Sequence, residues 1–160
     1  MKKIILLLLL ILSITANAQL KIGDKAPDFK LWLTNGAIIT QKDTKGRIVV
    51  FKFWFTTCVP CITGIPKLNN LVEKFKHKDV IFIAPAIDNS SIIKSFLNRV
   101  KFDFKVAYSA NDVSQIYNTN SVFPSYFIID KSGNIAYIDS QTKKSKEINL
   151  EKKINELLQK

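Results

Sequence analysis

The chain changes its hydrophobic period abruptly at residue 58, and this change constrains the fold more than any other feature. Residues 47–55, RIVVFKFWF, are almost all β-branched or aromatic, which predicts a strand buried on both faces of a sheet. From Cys58 onwards, apolar residues recur at helical spacing as far as Lys76. The sequence therefore predicts a strand that leads into a helix, with Cys58 and Cys61, the two cysteines of the chain, at the junction.

The rest of the chain alternates strands with helices. Residues 80–87, VIFIAPAI, predict a second buried strand, and residues 88–90 offer caps for the helix that follows it. Asn35-Gly36 near the N-terminus and KSGN at residues 131–134 predict the turns of two β-hairpins. A last helix begins near Lys146. This alternation predicts an α/β fold in which helices cover both faces of one sheet.

The first residues predict export. Two lysines precede an apolar run over residues 4–12, and Ala-Asn-Ala follows at residues 16–18. This is the pattern of a secretory signal peptide, and the apolar run is well short of the roughly 20 residues that span a bilayer. We expect a signal peptide over residues 1–18 and one domain over residues 19–160. The mature protein is then exported, periplasmic if the source is a Gram-negative bacterium, and without stable membrane insertion.

The charge of the chain is strongly basic, at +11. A basic excess is also typical of proteins that bind nucleic acids, but the sequence has no motif of that class. We therefore expect a solvated basic surface and no nucleic-acid partner.

Three kinds of site use a pair of cysteines spaced as Cys58 and Cys61 are. Structural zinc needs four ligands, and His77 is the one histidine in the chain, so no metal site is predicted. A structural disulfide stabilises little when the loop that it closes is so short. A redox pair suits the position, because the start of a helix lowers the pKa of a CxxC cysteine and makes it a nucleophile.

A second motif lies far along the chain. In VFPSYFIID, the dipeptide Phe123-Pro124 stands directly before a predicted strand, where proline is tolerated. The residues alone favour an ordinary trans bond before Pro124, because cis X-Pro bonds are a small minority.

Taken together, WFTTCVPC after a strand and VFPSYFIIDKSGNIAYI further on resemble the thioredoxin-like superfamily, and within it the exported TlpA/ResA-type thiol-disulfide oxidoreductases. The resemblance implies a thioredoxin-like fold, with a central mixed sheet and an N-terminal β-hairpin extension. It implies that Cys58 is the exposed nucleophile and Cys61 the resolving thiol. It also implies a cis Phe123-Pro124 bond that faces the pair and binds substrate backbone, while Trp54 shapes the nearby surface.

The same resemblance implies the partners of the protein. They are protein substrates with disulfides or thiols and an upstream membrane or exported electron donor, and no bound cofactor is expected. Between the cysteines, Val59-Pro60 lacks the histidine of several strong oxidants, which favours a reductase. Two alternatives stay open: a thioredoxin-fold peroxidase, although Phe55 stands where peroxiredoxins carry threonine, and a non-enzymatic metallochaperone or binding domain.

Three positions depart from the pattern of these relatives. Gly64 stands in place of an acidic residue, Thr57 in place of tryptophan, and Lys52 where Asp or Asn often assists the inner cysteine. Two interpretations of Lys52 follow. Either its amine reaches water along apolar surface, or it lies near Cys61 and takes part in proton handling.

Overall fold

The structure is a computed structural model that describes residues 19–139 and 146–159. The predicted signal peptide, residues 1–18, lies outside the described residues. Among the helices of the described part, none is both long and apolar enough to cross a membrane.

The described residues form a seven-stranded sheet and five α-helices. The strands are β1 (Lys30–Leu33), β2 (Ile38–Thr40), β3 (Ile48–Phe53), β4 (Val80–Pro85), β5 (Lys105–Tyr108), β6 (Ser125–Ile129) and β7 (Ile135–Asp139). The helices are α1 (Val59–Thr63), α2 (Ile65–Lys74), α3 (Ser90–Leu97), α4 (Asn111–Tyr117) and α5 (Lys146–Leu158), and a short 3-10 helix covers Gln41–Thr44.

The sheet has the strand order β2-β1-β5-β4-β3-β6-β7. Strands β3, β4 and β5 run parallel to one another, whereas β1, β6 and β7 pair antiparallel with their neighbours. The sheet is therefore mixed, as the resemblance implied, and the β1–β2 hairpin extends one edge of it. Both predicted hairpins are confirmed, with Gly36 and Gly133 at positive φ in their turns.

Every residue of β3 is buried, because helices cover both faces of the sheet. On one face, Val50 and Trp54 pack with the apolar sides of α2, α3 and α5. On the other face, Phe51 and Phe53 contact Tyr117 of α4, at ring-centroid distances of 5.2 and 5.9 Å. The unbroken apolar run of β3 thus reflects its place between two cores, and the predicted coverage of both faces is confirmed.

The helix predicted from Cys58 to Lys76 is divided in two. It breaks at Gly64, which ends α1 and precedes α2. The break follows from Pro66, because a proline inside a helix lacks the N–H for a hydrogen bond to residue i−4 and its ring clashes with that carbonyl. At the next helix, Asn89 is the cap, and its side chain accepts a hydrogen bond from the N–H of Ile92.

Candidate active site

The two cysteines lie just beyond the carboxyl end of β3 and form a disulfide, with their Cα atoms 5.2 Å apart. Cys58 is the N-cap of α1, and its carbonyl oxygen accepts hydrogen bonds from the N–H groups of Cys61 and Ile62, at 2.9 and 3.1 Å. Cys58 keeps 5% of its surface exposed, whereas Cys61 has 0%. A partner sulfur can therefore approach Cys58 more readily than Cys61.

Phe123 and Pro124 lie at the same end of the sheet. The peptide bond between them is cis, as the resemblance implied and contrary to the expectation from the residues alone. Because Ser125 pairs with Phe53 in antiparallel register, Pro124 lies beside the chain as it leaves β3. The Phe123 ring packs edge-on against Phe55, with ring centroids 5.3 Å apart. This contact joins the Pro124 loop to the segment that carries Cys58.

Trp54 lies beneath the site rather than on its surface. It is 0% exposed, its Nε1 donates to the carbonyl oxygen of Ala84 at 3.4 Å, and its ring packs on Phe96 and Phe102. The predicted contribution of Trp54 to substrate binding is therefore not a direct contact in this conformation. The side chain instead supports the CxxC segment from below.

Lys52 is fully buried, with 0% of its surface exposed. Its Nζ donates to the carbonyl oxygen of Cys61 at 2.7 Å and lies 5.2 and 6.0 Å from the ring centroids of Phe102 and Tyr126. The interpretation in which the amine reaches water is therefore wrong. Two aromatic faces and a carbonyl dipole partly replace the water that the amine loses on burial.

Asp88 and Phe55 have roles in the site that the sequence interpretation missed. The sequence predicts Asp88 only as a candidate helix cap, but its Oδ2 accepts a hydrogen bond from the N–H of Thr56 at 2.6 Å and so fixes the loop before Cys58. The sequence could have placed Asp88 in the site. A carboxylate that follows a parallel strand lies at the same sheet edge as the end of the neighbouring strand. No comparable signal pairs Phe55 with Phe123.

A groove of about 330 Å³ opens next to the cysteines. Thr56 and Thr57 line one side of it, and α3 together with the following Arg99 lines the other. Ile92 of α3 also lines it and is 45% exposed. Within the described residues, no group of three or more His, Cys, Asp and Glu side chains is arranged to hold a metal ion.

The fold and the site together define a class. A thioredoxin-like fold that carries a CxxC disulfide at the junction of a central strand and a helix is that of a thiol-disulfide oxidoreductase. The sequence model described as Redoxin matches residues 21–156 of this chain. The chain belongs to the Redoxin family.

Similar proteins support the same activity. The thiol-disulfide oxidoreductase ResA of Bacillus cereus (strain ZK / E33L) is 37% identical over 139 residues, which cover 84% of this chain and 79% of the relative. Among solved structures, a Chlorobium tepidum protein described as the thiol:disulfide interchange protein DsbE matches with a TM-score of 0.80 and 29% identity, over 88% of this chain and 99% of the other. A Bacteroides thetaiotaomicron protein described as a protein disulfide isomerase matches with a TM-score of 0.78 over 88% and 92% of the two chains, and at 22% identity it shows the fold alone. The protein is therefore a thiol-disulfide oxidoreductase, and thiol-bearing proteins are its substrates.

Proposed function

We propose that the protein is exported and reduces disulfides in other proteins, with Cys58 as the nucleophile and Cys61 as the resolving thiol. The observation that carries this assignment is the difference in burial, since Cys58 is 5% exposed and Cys61 0%. The position of Cys58 at the N-cap of α1 supports it, because N–H groups at the start of a helix stabilise a thiolate.

The reaction exchanges two electrons. The Cys58 thiolate attacks one sulfur of the substrate disulfide, and the other substrate sulfur leaves as a thiolate that takes up a proton. Cys61 loses its proton, and its thiolate attacks Sγ of Cys58, which releases the second substrate sulfur as a thiolate that takes up a proton. The Cys58–Cys61 disulfide forms, the substrate is reduced, and an exported or membrane dithiol donor reduces the pair again.

On this proposal, the substrate contacts the surface around Cys58 that Phe123 and Pro124 form. Phe123 is half-buried and packs on Phe55, so one face of the aromatic pair is available to a partner chain. Pro124 is buried beside the end of β3 and holds this loop against the CxxC segment. Trp54 contributes by supporting the segment from below.

Lys52 is assigned to proton handling at the inner cysteine. Its Nζ lies 2.7 Å from the carbonyl oxygen of Cys61, and covalent geometry keeps Sγ of the same residue within a few ångströms of that oxygen. A charged amine there stabilises the Cys61 thiolate, and a neutral amine accepts the thiol proton. Both states favour the attack of Cys61 on the mixed disulfide.

Two matched variants test the order of the cysteines. With a disulfide-bonded test protein, Cys61→Ala should accumulate a mixed disulfide on Cys58, because the resolving thiol is missing. Cys58→Ala should form little mixed disulfide, because Cys61 is buried. Stronger trapping by Cys58→Ala than by Cys61→Ala would reverse the two roles.

The compartment is tested separately. When the full chain is produced in a Gram-negative host, we expect the protein in the periplasm with Gln19 at its N-terminus, because Ala-Asn-Ala at residues 16–18 fits a cleavage site. A protein that stays in the cytoplasm and begins at Met1 would contradict export without affecting the redox assignment.

A further inference from the structure

A pocket of about 310 Å³ lies at the other end of β3 from the cysteines. It is formed where the chain enters β3 and leaves β6, and the paired residues Val49 and Ile129 make its apolar side. Five basic residues and one acidic residue also line it. The basic residues are Lys25, Lys42, Lys45, Arg47 and Lys131.

The acidic residue of this basic pocket is already engaged by its own turn. Oδ1 of Asp130 accepts hydrogen bonds from the N–H groups of Ser132 and Asn134, both at 2.9 Å. The carboxylate is thus used to shape the β6–β7 hairpin. It offsets one of the five cations, and the basic pocket keeps a net positive charge.

The five cations line one pocket without carboxylate partners among the described residues. Among residues 19–139 and 149–159, no salt bridge engages any of the five basic side chains of the pocket. Lys25 is fixed at the pocket, because its Nζ donates to the carbonyl oxygen of Ser132 at 2.9 Å. Gly133 makes room for it, since a Cβ there would come within 3.2 Å of the same Nζ. Because the five positive charges line the same pocket, an anion bound in it would be attracted by all of them.

We propose that the basic pocket binds a phosphate-bearing anion. Its volume lies at the lower end of the range of small-molecule sites, so it fits a compact group rather than a protein segment. Lysine and arginine together are the side chains that bind phosphate, the first as a point charge and the second as a fork of donors. The phosphate group belongs either to a soluble anion or to the headgroup of an anionic lipid.

The position of the pocket determines what binding does to the protein. Strand β3 has six residues and spans about 20 Å, with the basic pocket before its first residue and Cys58 beyond its last. A bound anion therefore leaves the redox pair open to partners. On a membrane, the same geometry holds the protein with Cys58 facing away from the lipid.

Two double variants of the full chain test the proposal. Lys45→Gln/Arg47→Gln removes two charges from the pocket, and Lys67→Gln/Lys94→Gln removes two exposed charges from α2 and α3. The first readout is the Tm with and without pyrophosphate at fixed ionic strength. Pyrophosphate should raise the Tm of the wild type and of the α2/α3 variant, and the rise should be lost in the pocket variant.

The second readout identifies the source of the phosphate. Binding to phosphatidylglycerol vesicles is divided by binding to phosphatidylcholine vesicles of the same size. Each basic side chain at an anionic surface contributes about fivefold to this ratio, so the pocket variant should lose about 25-fold more than the α2/α3 variant if the ligand is a lipid. A pocket-dependent Tm rise without this loss would assign a soluble phosphate anion instead.

Other outcomes overturn the proposal. Equal effects of the two double variants in both assays would show that net charge alone acts. No response of the wild type to pyrophosphate or to anionic vesicles would exclude the site. Stabilisation by polyglutamate but not by pyrophosphate would assign an acidic protein partner. Disulfide exchange at Cys58 is measured in parallel, and its rate should be the same in both double variants.

Discussion

Replacing Lys52 by methionine tests the most unusual feature of the site. Methionine has a similar length and no charge, so Lys52→Met removes the hydrogen bond from Nζ to the carbonyl oxygen of Cys61 and keeps most of the packing. A positive charge near a thiol favours its thiolate, and a neutral amine accepts the thiol proton. We therefore expect the thiol–thiolate titration of Cys61 to move to higher pH in the variant.

The rate of resolution falls by less than the thiolate fraction of Cys61 does. For each pH unit, the thiolate fraction of Cys61 at a given pH falls about tenfold, but the more basic thiolate is about threefold more nucleophilic, since β is about 0.4–0.5. Release of the reduced substrate from the mixed disulfide should thus slow about threefold for each unit by which that titration moves. The first attack by Cys58 should change much less, because Nζ contacts Cys61.

Two measurements separate these steps. Ultraviolet absorbance of the thiolate in a Cys58→Ser background gives the titration of Cys61 with and without Lys52→Met. Stopped-flow reaction of the reduced protein with a disulfide-bonded substrate gives the rate at which Cys61 resolves the mixed disulfide on Cys58. Lys67→Met is the matched control, since it removes one exposed lysine from α2. If Lys52→Met leaves both the titration and the resolution rate unchanged, the amine has no part in proton handling and serves packing alone.

Three further predictions concern residues around the site and the core. Asp88→Ala should lower the free energy of unfolding in urea by about 1.5–3 kcal/mol, because a charged acceptor is lost from the N–H of Thr56, and Asp88→Asn should recover part of this. Phe123→Ala should slow exchange with a protein disulfide more than with oxidised glutathione, and equal slowing would exclude a substrate contact. Burial, followed by the charge of Asp28, raises the pKa of Tyr117. The folded state then holds the tyrosine proton more tightly than the unfolded state. The contribution of Tyr117 to stability in urea should therefore be constant below about pH 10, and stability should fall above that pH; Tyr117→Phe should weaken the fall.

Local patterns in the sequence were enough to predict most of the architecture. The apolar run of β3, the turns at Asn35-Gly36 and Gly133, and the change to helical spacing after Cys58 are each determined by residues close together in the chain. The break before Pro66 was also readable, because a proline inside a helix lacks the N–H for a hydrogen bond to residue i−4 and its ring clashes with that carbonyl. The apolar spacing continues across the break, and this continuity predicted a single long helix instead of two.

Contacts between distant segments could not be predicted in the same way. A lysine in a strand can extend to water or stay inside. The groups that surround the Lys52 amine, among them the Cys61 carbonyl and the rings of Phe102 and Tyr126, come from distant segments and decide between these states. The resemblance implied the cis bond before Pro124, which the residues alone did not favour. The basic pocket assembles residues 25, 41–42, 44–47, 49 and 129–133, and no local pattern connects them.

The burial of Lys52 also bears on the direction of electron flow. Any group that stabilises the Cys61 thiolate stabilises the reduced protein relative to the disulfide, and so makes the pair a weaker reductant. Lys52 therefore opposes the reductase activity that Val59-Pro60 favours. At a pH where the thiolate is populated, each pH unit by which the amine lowers the thiol–thiolate titration corresponds to about 1.4 kcal/mol. This is about 30 mV for a two-electron couple. Lys52→Met should accordingly lower the reduction potential by about 30 mV for each unit, measured by equilibration with glutathione, while Lys67→Met should leave it unchanged. A potential that rises in Lys52→Met would show that the amine stabilises the disulfide form, and the proton-handling role would then have to be abandoned.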